Sequence, residues 1–353
     1  MNRLFIYIFL LIFISNLTFA QIDFFGSSNT IGGYGELHYN KTSTGNETTN
    51  VLDFHRFVIF YGHQWNEEWS FKAEVELEHN FVGKAQGELE LEQAFVDYHY
   101  ENWLGFQAGV ILPSVGLINE FHEPPLFFGV ERPEYHKSII PTTWFGNGLS
   151  VYGNYADLDY KISVMEGLNA DKISSNNGIR DARQKGYKSQ ADDLLYNARI
   201  DYLGINGLRV GVSYSYNNST GEDINIPVSL YEGHLKYIRN NIYFVGEYGN
   251  ISYGEGELES SAGYYFDLGY DFSELAGVST KIIPFARYSN YNTASSTQAG
   301  GDSEKAFNKK QWMIGLNILP ISEVVFKVDY NEIDVELTKE KTKYFNLGVG
   351  YMF

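Results

Sequence analysis

The stretch WSFKAEVELEHN, Trp69 to Asn80, sets Phe71, Ala73, Val75 and Leu77 against Lys72, Glu74, Glu76 and Glu78. A period of two puts successive side chains on opposite faces of an extended chain, so this is a strand with one apolar face and one row of ionised groups. A packed interior would have to neutralise each of those charges, because the cost of desolvating an ion is several kcal/mol. A strand held between lipid and water carries no such cost. Its apolar face meets the membrane and its carboxylates meet an aqueous lumen.

The alternation recurs along the chain. Leu194, Tyr196, Ala198, Ile200 and Tyr202 oppose Asn197, Arg199 and Asp201; Val324, Phe326, Val328 and Tyr330 oppose Lys327, Asp329 and Asn331. Sixteen such segments are predicted, at about 30–39, 51–62, 69–80, 88–99, 103–112, 145–153, 158–167, 193–203, 207–217, 229–238, 242–251, 259–271, 279–290, 308–318, 323–333 and 342–353. Short joins such as YENW, IRNN and PISE alternate with longer polar ones at 40–50, 81–87, 113–144, 168–192, 218–228, 252–258, 291–307 and 334–341. Alternating turns and loops are what a membrane barrel requires, since its periplasmic and outer ends differ. The expected fold is therefore all-β, a transmembrane antiparallel barrel of about sixteen strands, a size that leaves an aqueous channel.

Composition agrees with that fold and narrows the chemistry. The 353 residues include 28 Tyr, 25 Phe and 35 Gly but only 8 Pro, which favours strands. The absence of Cys excludes disulfides, thiolate-zinc sites and a cysteine nucleophile. A formal charge of -18 argues against nucleic acid as a partner. No phosphate-cradling glycine loop or metalloprotease helix is present, and the eight His show no zinc-site spacing. No catalytic residue, metal or cofactor is assigned, and the chain is not expected to be an enzyme. Residues 1–20 read as a cleaved export signal, with Arg3, an apolar run from Leu4 to Ile14, and Thr18 and Ala20 before the cut. Residues 21–353 then form a single barrel domain. Its final strand, TKYFNLGVGYMF, ends on an aromatic in the manner of the assembly signal of outer-membrane barrels.

Three segments depart from simple alternation. In GELELEQAFVDYHY, Glu88, Glu90 and Glu92 share one parity, but Gln93 follows directly and Ala94, Val96 and Tyr98 then take over the apolar one. That phase change predicts a β-bulge near Glu92 and Gln93, either a simple bend or a carboxylate re-aimed beside a constriction. The third outer loop, 113–144, holds Pro113, Pro124, Pro125, Pro133 and Pro141, five of the chain's eight prolines. Such a loop either caps the mouth or folds inward; folded inward, it would make Glu120, His122, Glu123, Glu131 and Arg132 the constriction. In the fourth loop, Arg180, Arg183, Lys185 and Lys188 form either a basic vestibule or a solvated run.

The runs FHRFVIFYGHQWNEEWSFKAEVELEHNFVG, GELELEQAFVDYHY and NEFHEPPLFFGVERPEYHKSIIPTTWFGNG resemble the porins of the phosphate-selective porin O/P type, most densely between Phe54 and Tyr216. The resemblance implies a trimeric outer-membrane porin with a constricting third loop, in contact with outer-membrane lipid and lipopolysaccharide. Phosphate-selective members line the pore with ladders of Arg and Lys; here Lys72, Lys161, Arg199, Arg209, Lys236, Arg287 and Lys327 face the predicted lumen singly. Expected to line the pore are Glu74, Glu76, Glu78, Glu88, Glu90, Glu92, Lys72 and Arg199. Passive diffusion of small ions and solutes with a weak cation preference follows; the alternative is a barrel-anchored binding protein or adhesin acting through its outer loops.

Overall fold

The computed structural model describes residues 29–84 and 86–353; the expected export signal lies outside them. The strands are β1 (Asn29–Thr44), β2 (Glu47–Gln64), β3 (Trp69–Gly83), β4 (Gln86–Glu101), β5 (Leu104–Ile111), β6 (Gly146–Tyr155), β7 (Leu158–Met165) and β8 (Leu195–Tyr202). They continue as β9 (Leu208–Ser219), β10 (Ile226–Arg239), β11 (Ile242–Tyr253), β12 (Leu258–Tyr270), β13 (Lys281–Thr297), β14 (Asn308–Ile321), β15 (Val324–Val335) and β16 (Lys341–Met352). Each pairs antiparallel with its sequence neighbours, and β16 pairs with β1 to close the barrel. Phe353 completes the seam: its N–H donates to Gly33 O and its carbonyl accepts from Gly33 N–H, both at 2.9 Å.

The faces divide as the alternation requires. In β8, Leu195, Asn197, Arg199 and Asp201 are buried inside, while Tyr196, Ile200 and Tyr202 are exposed on the outer surface. Aromatic pairs such as Tyr214 with Tyr231 and Trp312 with Tyr330 meet with tilted rings across neighbouring strands of that surface.

Two of the expected long loops are tight turns. Residues 40–50 and 81–87 were expected to be loops, but β1 runs to Thr44 and β2 restarts at Glu47, and β3 reaches Gly83 with β4 restarting at Gln86. Gly45, at φ 58, makes the first turn, and the Ser43 and Thr48 hydroxyls bond across the ladder at 3.0 Å. Whereas the β3 end carries Phe81 and Val82, both exposed, the β1 and β2 ends are polar on both faces because they rise past the lipid into water. Polarity there marks the environment and not the backbone.

The apolar core lies within the barrel. Val115, Tyr135, Ile139, Ile140 and Trp144 of the third loop, L3 (112–145), pack on Leu195, Leu230, Ile251 and Tyr265 of the wall. Glycines on β16 let the loop come close. A Cβ at Gly350 would stand 2.3 Å from Cβ of Pro124, and one at Gly348 would stand 2.9 Å from Cγ1 of Val130.

Candidate functional site

L3 crosses the lumen, and the wall holds its backbone with ionised side chains. Arg199 donates to Gly116 O at 2.8 Å, Arg287 to Phe128 O at 2.9 Å, and Lys327 to Gly129 O at 2.7 Å and Phe127 O at 3.1 Å. Asp329 accepts from Val130 N–H at 2.7 Å, and Glu247 from Leu117 N–H at 3.0 Å. Charge-assisted bonds of this kind are stronger than neutral ones, and they give the loop one seat. Arg199, Arg287 and Lys327 point inward as their parity predicts. They are nevertheless spent on L3 and on neighbouring acids: Arg199 pairs with Asp201 at 2.8 Å and Arg287 with Asp267 at 2.6 Å.

On the other side L3 faces β1 to β4 across a ring of charge. Arg56 Nε reaches Glu36 at 2.6 Å, and its Nη1 lies 3.4 Å from Glu76. His38 stands between Glu36, at 3.2 Å, and Glu131 of L3, at 3.0 Å; Asn40 donates to Glu131 at 2.9 Å. Arg132 lies 3.5 Å from the Tyr34 hydroxyl and 3.4 Å from the His122 carbonyl. His122 Nε2 is 3.3 Å from Glu74 and 3.4 Å from Glu92.

The β-bulge stands where the phase change puts it. Glu74 pairs with Gln93 and Val75 with Leu91, leaving Glu92 as the extra residue. Glu92 and Gln93 therefore both turn inward, and the Gln93 amide donates to the Glu74 carboxylate.

The remaining expected residues are more scattered. Glu120 pairs with Lys161 at 2.8 Å and lies 3.6 Å from Arg199, on the wall away from the ring. Glu88 and Glu90 are met by Lys185 of the fourth loop, L4 (166–194). Arg183 of L4 donates to Thr142 O and Thr143 O, at 2.9 and 2.8 Å, and so fastens the end of L3. These members of the basic quartet thus clasp the loops and the β4 acids. Glu78 sits half-buried opposite Glu88 and Arg56. Lys72 and Glu123 border a cavity of about 530 Å³ that also touches Glu74, Gln93 and Asp97.

Within L3 the ionisation states follow from burial and partners. For Glu131, burial favours the neutral acid, but the His38 imidazole holds the carboxyl down, to about 2. Burial also opposes the charge of Glu120, which Lys161 and Arg199 restore, so its pKa is lowered. Glu123 has only weak compensation and burial raises it. Burial and Arg132 both resist a charge on His122, yet Glu74 and Glu92 bring it up to about 10.

Glu36, His38, Arg56 and Tyr34 belong to the ring and were not among the expected pore residues. The signal was present in GELHYN, where Glu36, His38 and Asn40 alternate with Leu37 and Tyr39, and in FHRFVIF, where Arg56 is a lone cation. Spacing along the chain also hides the histidines' proximity. His55 stacks on His38 with ring centroids 4.7 Å apart, and His55 and His79 both contact Asp53, at 3.1 and 2.8 Å.

A closed sixteen-stranded barrel with an inward third loop defines a channel protein of the Gram-negative outer membrane. Residues 30–229 match the phosphate-selective porin O and P family, and an uncharacterized protein of Aquifex aeolicus (strain VF5) is 31% identical over 350 residues, covering 92% of this chain and 80% of that one. The chain belongs to that porin family. Its fold is shared with Salmonella typhi OmpF in complex with daunomycin (TM-score 0.64, 14% identity, 92% of this chain and 97% of that one). It is shared equally with an anion-selective porin from Comamonas acidovorans (TM-score 0.64, 9% identity, 92% and 99%). The trimer form of Vibrio cholerae OmpT is a further neighbour (TM-score 0.59, 11% identity, 93% and 100%).

Proposed function

We propose that the barrel is a passive, non-enzymatic channel whose solutes pass between L3 and the β1 to β4 wall, with a weak preference for cations, and that it works as a homotrimer. The ring of charge carries this reading. Around it stand the carboxylates of Glu36, Glu74, Glu76, Glu92 and Glu131, against the guanidinium groups of Arg56 and Arg132 and the imidazoles of His38 and His122. Acid is in excess even with both rings protonated, and a narrow passage between low-dielectric walls focuses that excess. On its other side L3 packs through apolar side chains on Leu195, Leu230, Ile251 and Tyr265 of the wall. Trimer assembly is supported by family membership and by the OmpT neighbour.

The test is the reversal potential of the refolded protein in a planar bilayer under a KCl gradient, with the double variant Glu78→Gln, Glu123→Gln beside the wild type. Among the described residues neither acid lies in an ion pair, so the change removes charge without stranding a cation. A cation-biased potential that shrinks in the variant is expected. Anion bias would overturn the preference while keeping the channel. No conductance would overturn the channel and favour the barrel-anchored binding protein.

A further inference from the structure

We propose that Glu74, Glu92 and His122 form a binding site for one divalent transition-metal ion, which clips L3 to the β3–β4 wall. Three ligating atoms, one from each residue, lie within 4.8 Å of one another. All three side chains are sealed from bulk water, with Glu92 wholly inaccessible. Among the described residues, Oε1 of Glu74, both carboxylate oxygens of Glu92 and Nε2 of His122 have no hydrogen-bond partner. A buried carboxylate with neither oxygen satisfied is costly, and a cation coordinated there removes the cost.

The spacing favours a shared ion over a direct ion pair. Charge-assisted N–H to carboxylate bonds run at about 2.7–2.9 Å. The imidazole here stands 3.3 and 3.4 Å from its two carboxylates. Ligands about 2.1 Å from a tetrahedral metal are separated by about 3.4 Å. The tautomer is suitable as well. His122 Nδ1 lies 3.1 Å from Asn119 O, so its N–H donates to that carbonyl, and the proton that Glu74 and Glu92 hold on Nε2 in the metal-free site is the one a metal ion displaces. The Gln93 amide supports the Glu74 carboxylate from behind. Two carboxylates and a neutral imidazole balance the charge of a divalent ion, and this mixture of oxygen and nitrogen donors suits Zn²⁺, Mn²⁺, Fe²⁺ or Co²⁺.

The bulge supplies the site. With regular alternation, either Glu92 or Gln93 would face lipid; the extra residue brings both inward, one as a ligand and the other as its support. The neighbouring histidines are poorer candidates. His55 Nε2 accepts from Arg56 Nη2 at 2.9 Å, which leaves the ring proton on Nδ1, directed at Asp53. His55 cannot offer Nδ1 to a metal while that contact stands.

Binding is independent of whether the barrel conducts, so it is read directly. The full chain is refolded in detergent, treated with chelator, and titrated by calorimetry with Zn²⁺; Co²⁺ is added separately and its visible ligand-field bands recorded. Expected are one Zn²⁺ per chain, Co²⁺ bands bleached by Zn²⁺, and affinity lower by about tenfold or more in Glu92→Gln and in His122→Gln. His79→Gln should bind as the wild type does. Heat-modifiable gel mobility confirms that each variant is folded, and the wild-type Co²⁺ bands test the site without any variant. Absence of Zn²⁺ binding and Co²⁺ bands overturns the proposal. So does binding that is lost in His79→Gln and kept in Glu92→Gln.

Discussion

His136 Nε2 and Glu247 Oε1 lie 2.7 Å apart with both side chains sealed from solvent, joining the one-turn helix of L3 (Tyr135–Ser138) to β11. Glu247 also accepts from the Tyr265 hydroxyl at 2.5 Å and from Leu117 N–H at 3.0 Å, so one carboxylate gathers two parts of the loop and the wall behind them. Glu247→Ala leaves a buried imidazole, hydroxyl and N–H unpaired together. Removing one member of a buried pair costs about 3–5 kcal/mol. The loop should then become cleavable by trypsin while the barrel keeps its heat-modifiable mobility, and single-channel current should grow larger and noisier. Unchanged proteolysis and current would show that apolar packing alone seats L3.

Lys185 governs how much of the β4 acid row is felt by a passing ion. It contacts both Glu88 and Glu90, and all three are partly open to solvent. Lys185→Gln should leave folding nearly unchanged, since an exposed pair contributes only about 0–1 kcal/mol. Its effect belongs to selectivity. The reversal potential should move toward cations at low salt, and the shift should vanish near 1 M, where the Debye length falls to about 3 Å. A shift that persists at high salt would point to a structural change in L4 instead.

The barrel was legible because lipid on one side and water on the other write a period of two into each strand; Tyr196 to Tyr202 shows it without exception. The bulge was legible for the same reason, since Glu92 followed by Gln93 breaks that period in one place. Strand ends beyond the membrane were not, because Lys41 to Asn50 is polar on both faces and alternation loses its contrast. The ring of charge was half visible. Glu74, Glu76 and Glu92 stand in rows that attract notice, whereas Glu36 and Arg56 are single charges whose meaning depends on β1 lying beside β2 and closing onto β16. Which lumenal cations would hold L3 could not be read at all, because Arg287 and Lys327 meet backbone carbonyls about 160 and 200 residues away in the chain.

Gly350 tests how closely L3 must approach the wall. A side chain there meets Pro124 on one side and Val325 on the other. Gly350→Val should therefore push Pro124 off β16, at a cost of about 1–3 kcal/mol for overpacking. A lower midpoint in the heat-modifiability assay is expected, together with an altered single-channel current, because Pro124 lies two residues from His122. A wild-type midpoint would mean that the loop yields without resistance.

Deletion of Glu92 separates the bulge from the barrel it interrupts. With Glu92 gone, Leu91 joins Gln93 directly, so Glu88 and Glu90 still face inward, Leu89 and Leu91 still face lipid, and Gln93 stays opposite Glu74. The ladder becomes regular and no charge is moved onto the lipid face. Deletion of Val96 in the same strand is the contrast. It puts Phe95 next to Asp97 and turns Asp97 outward toward the membrane, where a charge is destabilising. The Glu92 deletion should give heat-modifiable barrel in wild-type yield and the Val96 deletion should not. In the folded Glu92 deletion His122 keeps only Glu74, and trypsin should cut more readily at Arg132 of L3. Equal failure of both deletions would show that β4 needs the bulge for its curvature; full protection at Arg132 would show that Glu92 does not restrain the loop.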